Sequence, residues 1–378
     1  MDFDFSDDQE SLRDAVRKWV DKGFTFERRH QLAKAGGQAR KVYAELAELG
    51  LTGLAVPEAQ GGMGFGPVDA MVVMEELGRG LVNAPYAAGA LVAPALLAAA
   101  PDALKDVWLP KVAGASALVV LAHQERAARY RLNHVTTTAS KASNGGWTVS
   151  GAKSIVPAGD EADAFIVPAR ISGDVASEQG IGLFLAEKNA KGAAVRGYPT
   201  QDGARAAELT LAATPAALIA EDGYATLLQA VDVGIAANCA EAVGLMDKLV
   251  AVTVEYMNTR KQFGVLISSF QALRHRIADV KMQLELGRSM SYFASLKLGE
   301  PEAARRRAIS QARVQLGQSM RYVGQQCVQL HGGIGVTDEY VAGHYFKRLT
   351  VLEMNFGDTL HHLGEVSARM QDTAGVFA

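Results

Sequence analysis

The chain is poor in cysteine and has no excess of basic residues. Its 378 residues include two cysteines, Cys239 and Cys327. Two are too few for a disulfide framework or for a zinc site built on cysteines. Lysine and arginine total 38 against 41 aspartates and glutamates, which gives a formal net charge of -3. Because no global basic field results, binding to nucleic acid has no electrostatic support.

Long apolar runs and a basic, apolar leader are also missing. The first residues, MDFDFSDDQE, are acidic, unlike the start of a signal peptide. The longest alanine-rich stretch, Tyr86 to Ala100, is interrupted by Gly89 and Pro94 and is too short to cross a bilayer. We therefore expect a cytoplasmic protein that has no membrane partner.

Three regions of different periodicity make up the chain. Apolar residues recur at helical spacing in residues 1–115 and again in residues 219–378, whereas residues 116–218 contain short runs rich in Val, Ile, Leu, Phe and Thr. This pattern predicts an α+β multidomain protein with an N-terminal helical domain, a middle antiparallel β domain and a C-terminal four-helix bundle. Regular alternation of helices and strands is absent, which disfavours a doubly wound α/β fold.

Caps and breakers predict where the helices begin and end. Ser6, followed by acidic residues, is the expected N-cap of the first helix. In the C-terminal region we expect helices from Ser269 to Leu298, from Pro301 through Gln326, and from Leu360 to Met370. An earlier long helix is expected to bury one face, formed by Val231, Ile235, Cys239, Ala242, Met246, Leu249 and Met257.

Three glycine-containing motifs have both structural and functional interpretations. GGMGFG, residues 61–66, fails the G-x-G-x-x-G spacing and lacks a preceding strand, so we expect a tight structural loop. In RKQFG, residues 260–264, Arg260 would either favour the helix dipole or offer a planar fork to a pyrophosphate. QLHGGIG, residues 329–335, is either a helix C-cap with a capped His331 or a backbone that approaches a ligand closely.

His361 and His362 are the nearest approach to a metal-binding motif. On a helix, adjacent residues point about 100° apart, and no H-E-x-x-H spacing surrounds them. We therefore predict no metal site and expect these histidines to be solvated or to lie at an interface.

Taken together in order, the motifs resemble the acyl-CoA dehydrogenase family over essentially the whole chain. The N-terminal part resembles it in FSDDQESLRD, ELAELGLTGLAVPEAQGGMGFG and VVMEELGRGL. The middle part resembles it in W-x-V-S-G-x-K and AD-x-F-I-V-x-A-R, and the C-terminal part in RKQFGVLISSFQALRHRIADV and QLHGGIGVTDEY. The resemblance implies a helical domain, a β-barrel-like middle domain and a four-helix bundle.

The resemblance also implies FAD, held between the middle domain of one subunit and the bundle of its neighbour. Residues of the arginine motif would contact the FAD pyrophosphate across that interface, and the loop after the long helix would contact the adenine side. The implied cofactor-binding residues are Arg260, Gln262, Phe263, Gln271, Gln329, Gly332 and Gly333.

The family's reaction implies the substrate and the acceptor. A carboxylate removes a proton α to the carbonyl of an acyl-CoA thioester, and the β-carbon passes hydride to the flavin N5. The carbonyl must be polarised and the base desolvated because the α-proton is weakly acidic. An electron-transfer flavoprotein usually reoxidises the flavin.

The catalytic glutamate is missing from both positions where the family carries it. Ungapped counting from Gln329 places one position at Phe356, and counting back from Arg260 places the other at Gly234. Neither residue can abstract a proton. The nearby carboxylates that would serve as a relocated base are Asp358, Asp232, Glu353 and Glu241.

The middle domain departs from the family pattern as well. Relatives carry a Thr-Glu-Pro, Ala-Gly-Ser-Asp loop that binds flavin, whereas this chain has HQERAARY, residues 123–130. A second motif, usually Trp-Ile-Thr or Trp-Ile-Ser, reads Ser154, Ile155, Val156. The residues that bind flavin within one subunit of the family are replaced here, while the residues that bind it across the interface are kept.

This pattern resembles the heteromeric branch of bacterial acyl-CoA dehydrogenases that act on steroid catabolites. In that branch one subunit carries the glutamate and the other completes the flavin site. The resemblance implies a subunit that works with such a partner. The alternatives are a self-sufficient homo-oligomer (dimer or tetramer) with a relocated carboxylate, a non-catalytic scaffold or ligand binder, and another flavin reaction such as nitroalkane oxidation or N-hydroxylation.

Overall fold

The computed structural model describes residues 5–36, 39–142 and 145–370. They form two compact units. The helical unit comprises Met1–Gln31, Pro67–Val82 and Ile235–Ala378, and the sheet unit comprises Leu32–Gly66 and Asn83–Gly234. Helices, strands and helices follow one another in the predicted order. The domain boundaries at residues 115 and 218 stay a prediction, because the compact units divide the N-terminal helices between them.

The helices are numbered in chain order. They are α1 (Asp7–Gly23), α2 (Phe26–Lys34), α3 (Ala39–Glu48), α4 (Pro67–Arg79), α5 (Ala93–Leu97), α6 (Asp102–Ala113), α7 (Tyr224–Thr259), α8 (Gln271–Leu296), α9 (Glu302–His331), α10 (Val341–Met354) and α11 (Thr359–Ala368). A π-helical turn, Ala87–Val92, precedes α5. None of the helices among the described residues is both long and apolar enough to span a membrane.

Local capping explains how α1 begins. The Ser6 hydroxyl accepts a hydrogen bond from the Gln9 backbone N–H at 3.2 Å, and the Gln9 side chain accepts one from the Ser6 N–H at 3.1 Å. This reciprocal pair is a capping box, which satisfies backbone donors that the helix cannot. The predicted N-cap at Ser6 is confirmed.

The C-terminal helices differ in detail from the prediction. The predicted face of α7 is buried at all seven positions, and both cysteines lie unpaired in the interior. α9 runs to His331 rather than ending near Gln326, because Gly332 is the first residue that leaves the helical conformation. The predicted C-terminal helical domain is present, and among the described residues it comprises α7 to α11. α10 was not predicted, and it packs with α8 and α11 against α9.

In the helical unit, α4 and α7 approach each other with their backbones nearly in contact. A Cβ at Gly78 would lie 2.1 Å from the Glu241 carbonyl oxygen, and one at Gly244 would lie 1.8 Å from the Glu75 carbonyl oxygen. No side chain fits between the two helices at these points. The contact is reinforced from α10, where Arg348 binds Glu241 through two hydrogen bonds of 2.6 and 2.9 Å.

The sheet unit is built on seven strands. They are β1 (Val119–Leu121), β2 (Thr138–Lys141), β3 (Trp147–Pro157), β4 (Ala164–Arg170), β5 (Ile181–Glu187), β6 (Ala193–Pro199) and β7 (Arg205–Ala220). The order is β1-β4-β2-β3-β7-β5, with β6 on β7, and β5 also pairs with β4. This last pairing closes the sheet into a barrel-like ring. Every residue of β4 is buried, as expected for a strand covered on both faces.

The expectation of an antiparallel sheet is wrong for two pairings. β1 runs parallel to β4, with Val119 opposite Ala164, and β2 meets β4 in parallel at Thr138 and Arg170. The other strand pairs of the sheet are antiparallel. The short apolar runs that predicted this domain coincide with five strands, β1, β3, β4, β5 and β7. β2 and β6 were missed because their segments are short or largely polar.

The predicted structural role of the GGMGFG loop is supported by its packing. A Cβ at Gly62 would lie 2.0 Å from the Val56 carbonyl oxygen. Backbone N–H groups of Met63, Gly64 and Phe65 donate hydrogen bonds to carbonyls of residues 53, 56 and 54. The loop therefore folds tightly onto its own preceding segment.

We predict that Gly244→Ala destabilises the protein by about 1–3 kcal/mol or more, because its methyl group would overlap the backbone of α4. Urea unfolding followed by circular dichroism would measure the change. Gly364→Ala in α11 is the matched control, since a Cβ there meets no neighbouring atom, and it should be neutral or stabilising by up to about 1 kcal/mol. Equal effects of the two substitutions would contradict the close contact.

Candidate functional site

A short hairpin follows α7 and carries three of the predicted cofactor residues. Phe263 and Gly264, with φ of 52° and 80°, form the two-residue turn between β8 (Lys261–Gln262) and β9 (Val265–Leu266). Left-handed backbone at both positions is typical of a type I′ turn, which normally selects small or polar residues. A phenylalanine in this conformation is strained, and it is 92% exposed. Strain that places an aromatic ring in solvent indicates a binding role.

The predicted residue Gln271 is the first residue of α8. Phe270 precedes it as the N-cap, and no side chain accepts a hydrogen bond from the first backbone N–H groups of the helix. Such an end carries a partial positive charge and free donors, which favour an anion. Arg260 lies exposed at the other end of the same short segment, and its carbonyl accepts a hydrogen bond from Ile267 N–H at 2.9 Å.

The end of α9 carries the remaining predicted residues. Gln329, Gly332 and Gly333 are all exposed, and a Cβ at either glycine would meet no atom of this chain within 4 Å. His331 is buried, donates from Nδ1 to the Cys327 carbonyl at 2.8 Å and stacks on Tyr256 at 4.6 Å between ring centroids. Burial lowers the pKa of His331, so this residue is a neutral, packed histidine.

A small apolar cluster brings the two predicted segments together. Met257, Ile267 and Leu330 are buried against one another, and Phe270 packs onto them. Met257 precedes the hairpin, Ile267 follows it, and Leu330 lies within the last turn of α9. Residues 260–271 and 329–333 therefore form one end of the helical unit, although about 60 residues separate them in sequence.

The chemistry of this surface fits a phosphate-bearing, aromatic ligand. An exposed guanidinium and an uncapped helix N-terminus suit a pyrophosphate, and the open glycine backbone allows close approach. Contacts of the individual residues with a cofactor remain predictions. The geometry agrees with a ligand bound on an outer surface rather than inside a closed pocket.

In the sheet unit, a buried ion pair occupies the HQERAARY segment. Glu125 and Lys153 are 3% and 0% exposed, and Lys153 Nζ lies 2.7 Å from Glu125 Oε1. Thr136 and Thr137 donate backbone and hydroxyl hydrogen bonds to the same carboxylate. Burial alone would raise the pKa of Glu125, but Lys153 and these donors lower it to about 2. The carboxylate therefore joins three segments of the barrel and is not available to a ligand.

The motif at residues 154–156 forms a bulge in β3. The register with β7 shifts between Lys153 and Val156, and Ile155 has φ of 53° with 51% of its surface exposed. The preceding Ser154 donates a hydrogen bond from its hydroxyl to Glu208 at 3.0 Å. Isoleucine rarely adopts left-handed backbone. The bulge exposes the apolar side chain of Ile155 within the segment that matches the family's Trp-Ile-Thr motif.

The loop from α10 to α11 contains Phe356, the first expected position of the base. Arg313, in the middle of α9 and 1% exposed, donates hydrogen bonds to the carbonyls of Leu352, Asn355 and Gly357. Phe356 itself has φ of 56°. The loop is thus held by its backbone, independently of the side chain at 356. The sequence analysis did not single out Arg313, whose only signal is an arginine on an otherwise buried helix face.

His362 also holds this loop and corrects an expectation. It is 1% exposed rather than solvated, and its Nε2 donates to the Phe356 carbonyl at 3.2 Å. Burial lowers its pKa to about 2, so the ring is neutral. His361 lies with its ring centroid 5.0 Å away, edge-on to His362.

The four carboxylates near the expected base positions have structural contacts. Asp358 is the N-cap of α11 and accepts from the His361 N–H at 2.8 Å. Glu353 accepts from the Thr359 hydroxyl at 2.6 Å, and Glu241 forms the ion pair with Arg348 described above. Asp232 lies in α7 and is fully buried, and Gly234, the second expected position, follows it on the same helix. These contacts favour structural roles over proton abstraction.

One cluster among the described residues has the composition of a metal site. Ligand atoms of His30, Asp338 and His344 lie within 4.8 Å of one another. Arg29 donates to Nδ1 of His344 at 3.0 Å, and Nε2 lies 2.9 Å from the Asp338 carbonyl oxygen. Both ring nitrogens are therefore engaged, and a cation at Nε2, the nitrogen that faces Asp338, would have to displace the hydrogen bond to the Asp338 carbonyl.

Comparisons with known proteins cover nearly the whole chain. Three family models match: "Acyl-CoA dehydrogenase, N-terminal domain" over residues 6–116, "middle domain" over 121–213 and "C-terminal domain" over 221–371. The acyl-CoA dehydrogenase FadE27 of Mycobacterium tuberculosis is 25% identical over 99% of this chain and 100% of its own length.

Solved structures show the same fold. A variant of the Tcur3481-Tcur3483 steroid acyl-CoA dehydrogenase has a TM-score of 0.87 and 27% identity, covering 97% of this chain and 99% of that one. The ChsE4-ChsE5 complex from Mycobacterium tuberculosis has a TM-score of 0.88 and 24% identity, covering 98% of this chain and 99% of that one.

Removal of one member of the buried ion pair should be costly. We predict that Lys153→Met destabilises the sheet unit by about 3–5 kcal/mol, because it leaves the Glu125 carboxylate buried without its counter-charge. Urea unfolding at pH 7 would measure this loss. The double variant Glu125→Gln, Lys153→Met is the control and should recover part of the loss. A double variant no more stable than Lys153→Met would contradict the coupling.

Proposed function

The chain belongs to the acyl-CoA dehydrogenase family of FAD-dependent oxidoreductases, and we propose that it works as one subunit of a two-component enzyme whose partner supplies the catalytic base. The observation that carries this proposal is the identity of the residue at the position expected for the catalytic base. Phe356 stands where a glutamate is expected, and Asp358, Glu353 and Glu241 are engaged in the structural contacts described above. The chain therefore provides binding surface rather than proton abstraction.

When bound, FAD supplies the hydride acceptor for α,β-dehydrogenation of an acyl-CoA thioester. The residues of this chain that would hold it are on the outer end of the helical unit. Arg260 would bind the pyrophosphate, the hairpin tip at Phe263 would pack on the cofactor, and the backbone at Gly332 and Gly333 would lie against its adenine side. A cofactor bound on such an exposed surface is enclosed only when a second chain covers it.

The sheet unit also supports the proposal of a two-component enzyme. Where the family pattern expects hydroxyl and backbone donors for flavin, this chain has the closed network of Glu125, Lys153 and two threonines. Val156 stands where the second family motif carries a threonine or serine, so the hydroxyl of that motif is missing. We infer that a flavin seated on the partner's middle domain, and reached by the hairpin of this chain, agrees best with these substitutions.

We propose a CoA thioester of a steroid catabolite as the substrate class and an electron-transfer flavoprotein as the electron acceptor. The support is the 27% identity with a steroid acyl-CoA dehydrogenase over 97% of this chain and the family resemblance. The subunit would then act in a hetero-oligomer.

A visible spectrum separates the proposal from its alternatives. The purified chain alone should show little bound flavin, and the chain co-expressed with a relative that carries the glutamate should be yellow and bleach with the steroid acyl-CoA under anaerobic conditions. Bleaching by the chain alone would instead establish a self-sufficient enzyme. Absence of flavin in every assembly would establish a scaffold, and bleaching by nitroalkanes or amines would establish another flavin reaction.

We predict that Arg260→Ala lowers the FAD content of the assembled complex at least severalfold, because a charge-assisted pair with phosphate is lost. Absorbance after gel filtration would give the flavin stoichiometry. Lys261→Ala, an exposed cation on the neighbouring residue, is the matched control and should retain flavin. Equal flavin content in the two variants would overturn the pyrophosphate role of Arg260.

Substitution of Asp358 tests whether this residue serves as a relocated catalytic base. Asp358→Asn keeps a side-chain oxygen for the helix cap and should leave both stability and turnover of the complex nearly unchanged. Asp358→Ala should cost about 1 kcal/mol of stability through loss of the cap. Thermal unfolding and steady-state rates would measure both effects. A loss of turnover of several orders of magnitude in Asp358→Asn alone would make Asp358 the base.

A further inference from the structure

The outward face of α8 carries a row of exposed apolar side chains. Met282, Leu286 and Leu296 are 53%, 43% and 52% exposed, and Phe293 lies partly exposed between them. Single exposed apolar residues are common on a monomer, whereas a contiguous row of them marks a contact surface. Packing within this chain therefore does not account for the row.

The spacing of the row is that of a coiled-coil seam. Positions 282, 286, 289, 293 and 296 are separated by alternating steps of four and three residues, and all are apolar except for a serine at 289. Side chains with this heptad spacing interlock between two helices. The row lies between the two sides of α8 that already have neighbours. Gln283 contacts Ser319 of α9 on one side, and Arg288 contacts Glu75 of α4 on the other.

Charged residues of opposite sign stand at the two ends of the row. Asp279 lies one turn before Met282, and Lys297 directly follows Leu296. Lys297 pairs with Glu300 at 2.9 Å, but an exposed pair three residues apart contributes only about 0.2–0.5 kcal/mol, so the ammonium group can turn to another carboxylate. Two parallel copies of α8 would bring like charges together. Two antiparallel copies place Asp279 of each opposite Lys297 of the other.

We propose that a second copy of this chain binds along this row, with the two α8 helices packed antiparallel about a two-fold axis. The axis passes between positions 287 and 288. Met282 of each copy then packs on Phe293 of the other, and Leu286 lies beside the axis. Each contact forms twice, as a two-fold axis requires. The 26 residues of α8 span about 39 Å, which is long enough for the whole seam and both charge pairs.

This contact is separate from the proposed cofactor surface. Gln271, at the start of α8, lies 15 residues before Leu286, which corresponds to about 22 Å along the helix. A flavin-sharing partner at one end of α8 and a second copy along its outward face can therefore bind together. The two-component enzyme would then contain two copies of each chain. Self-association through α8 does not depend on that partner, so the two proposals fail independently.

Sedimentation velocity of the full chain alone, over a dilution series, tests the contact. The chain should sediment at twice the mass of one chain and dissociate on dilution. Leu286→Glu places two carboxylates beside the axis and should raise the dimer Kd at least tenfold, while circular dichroism stays unchanged because glutamate and leucine have similar helix propensity. Leu363→Glu on α11, where the leucine is 48% exposed, is the matched control and should leave the Kd unchanged. A monomer at every concentration, or equal effects of the two variants, would overturn the proposal.

A charge exchange tests the antiparallel arrangement. Asp279→Lys and Lys297→Glu should each raise the dimer Kd severalfold, because each brings like charges together twice. The double variant restores opposite charges and should return the Kd to within about twofold of the original, since surface pairs of this kind are worth about 0.2–1 kcal/mol each. A double variant that associates no better than either single variant would contradict the antiparallel pairing. Association of a different chain through Leu286, without self-association, would assign the row to another partner and overturn the proposal.

Discussion

The backbone contact between α4 and α7 is the constraint on which the helical unit depends. Two glycines remove the side chains that would keep these helices apart, and the carbonyl groups of Glu75 and Glu241 lie against the opposite helix. This contact fixes where both acidic side chains point. Glu241 meets Arg348 and ties α10 to α7, while Glu75 faces the arginines of α1 and α8. One steric feature therefore positions both acidic side chains.

The residues proposed for ligand contact and the residues engaged in structural contacts are different residues of this chain. The residues proposed for ligand contact are exposed, and their positions are set by buried neighbours such as Met257, Ile267 and Leu330. The residues that replaced the expected flavin and base contacts are instead engaged in closed networks. Glu125 and Lys153 stabilise the barrel, and Asp358 begins a helix. If a partner supplies the base, as proposed, these polar groups of the chain serve stability.

Local features could be predicted from the sequence, and features made by distant residues could not. The Ser6 cap, the buried face of α7 and the five apolar strands each depend on neighbours within a few residues. The parallel pairing of β1 with β4 joins segments about 45 residues apart, and the Glu125–Lys153 pair joins residues 28 apart. The burial of His362 depends on α9, whose contacts no local pattern records. The proposed cofactor residues were predicted through family motifs, because exposed glycine and arginine have no periodicity of their own.

Arg313 holds the loop at Phe356 by hydrogen bonds to main-chain atoms. The hydrogen bonds that Arg313 donates to Leu352, Asn355 and Gly357 end on main-chain carbonyls, and His362 likewise bonds the carbonyl of residue 356. These contacts therefore do not require a particular side chain at position 356, although its φ of 56° disfavours β-branched residues there. A change of side chain at this position can alter its chemistry while Arg313 and His362 continue to hold the loop.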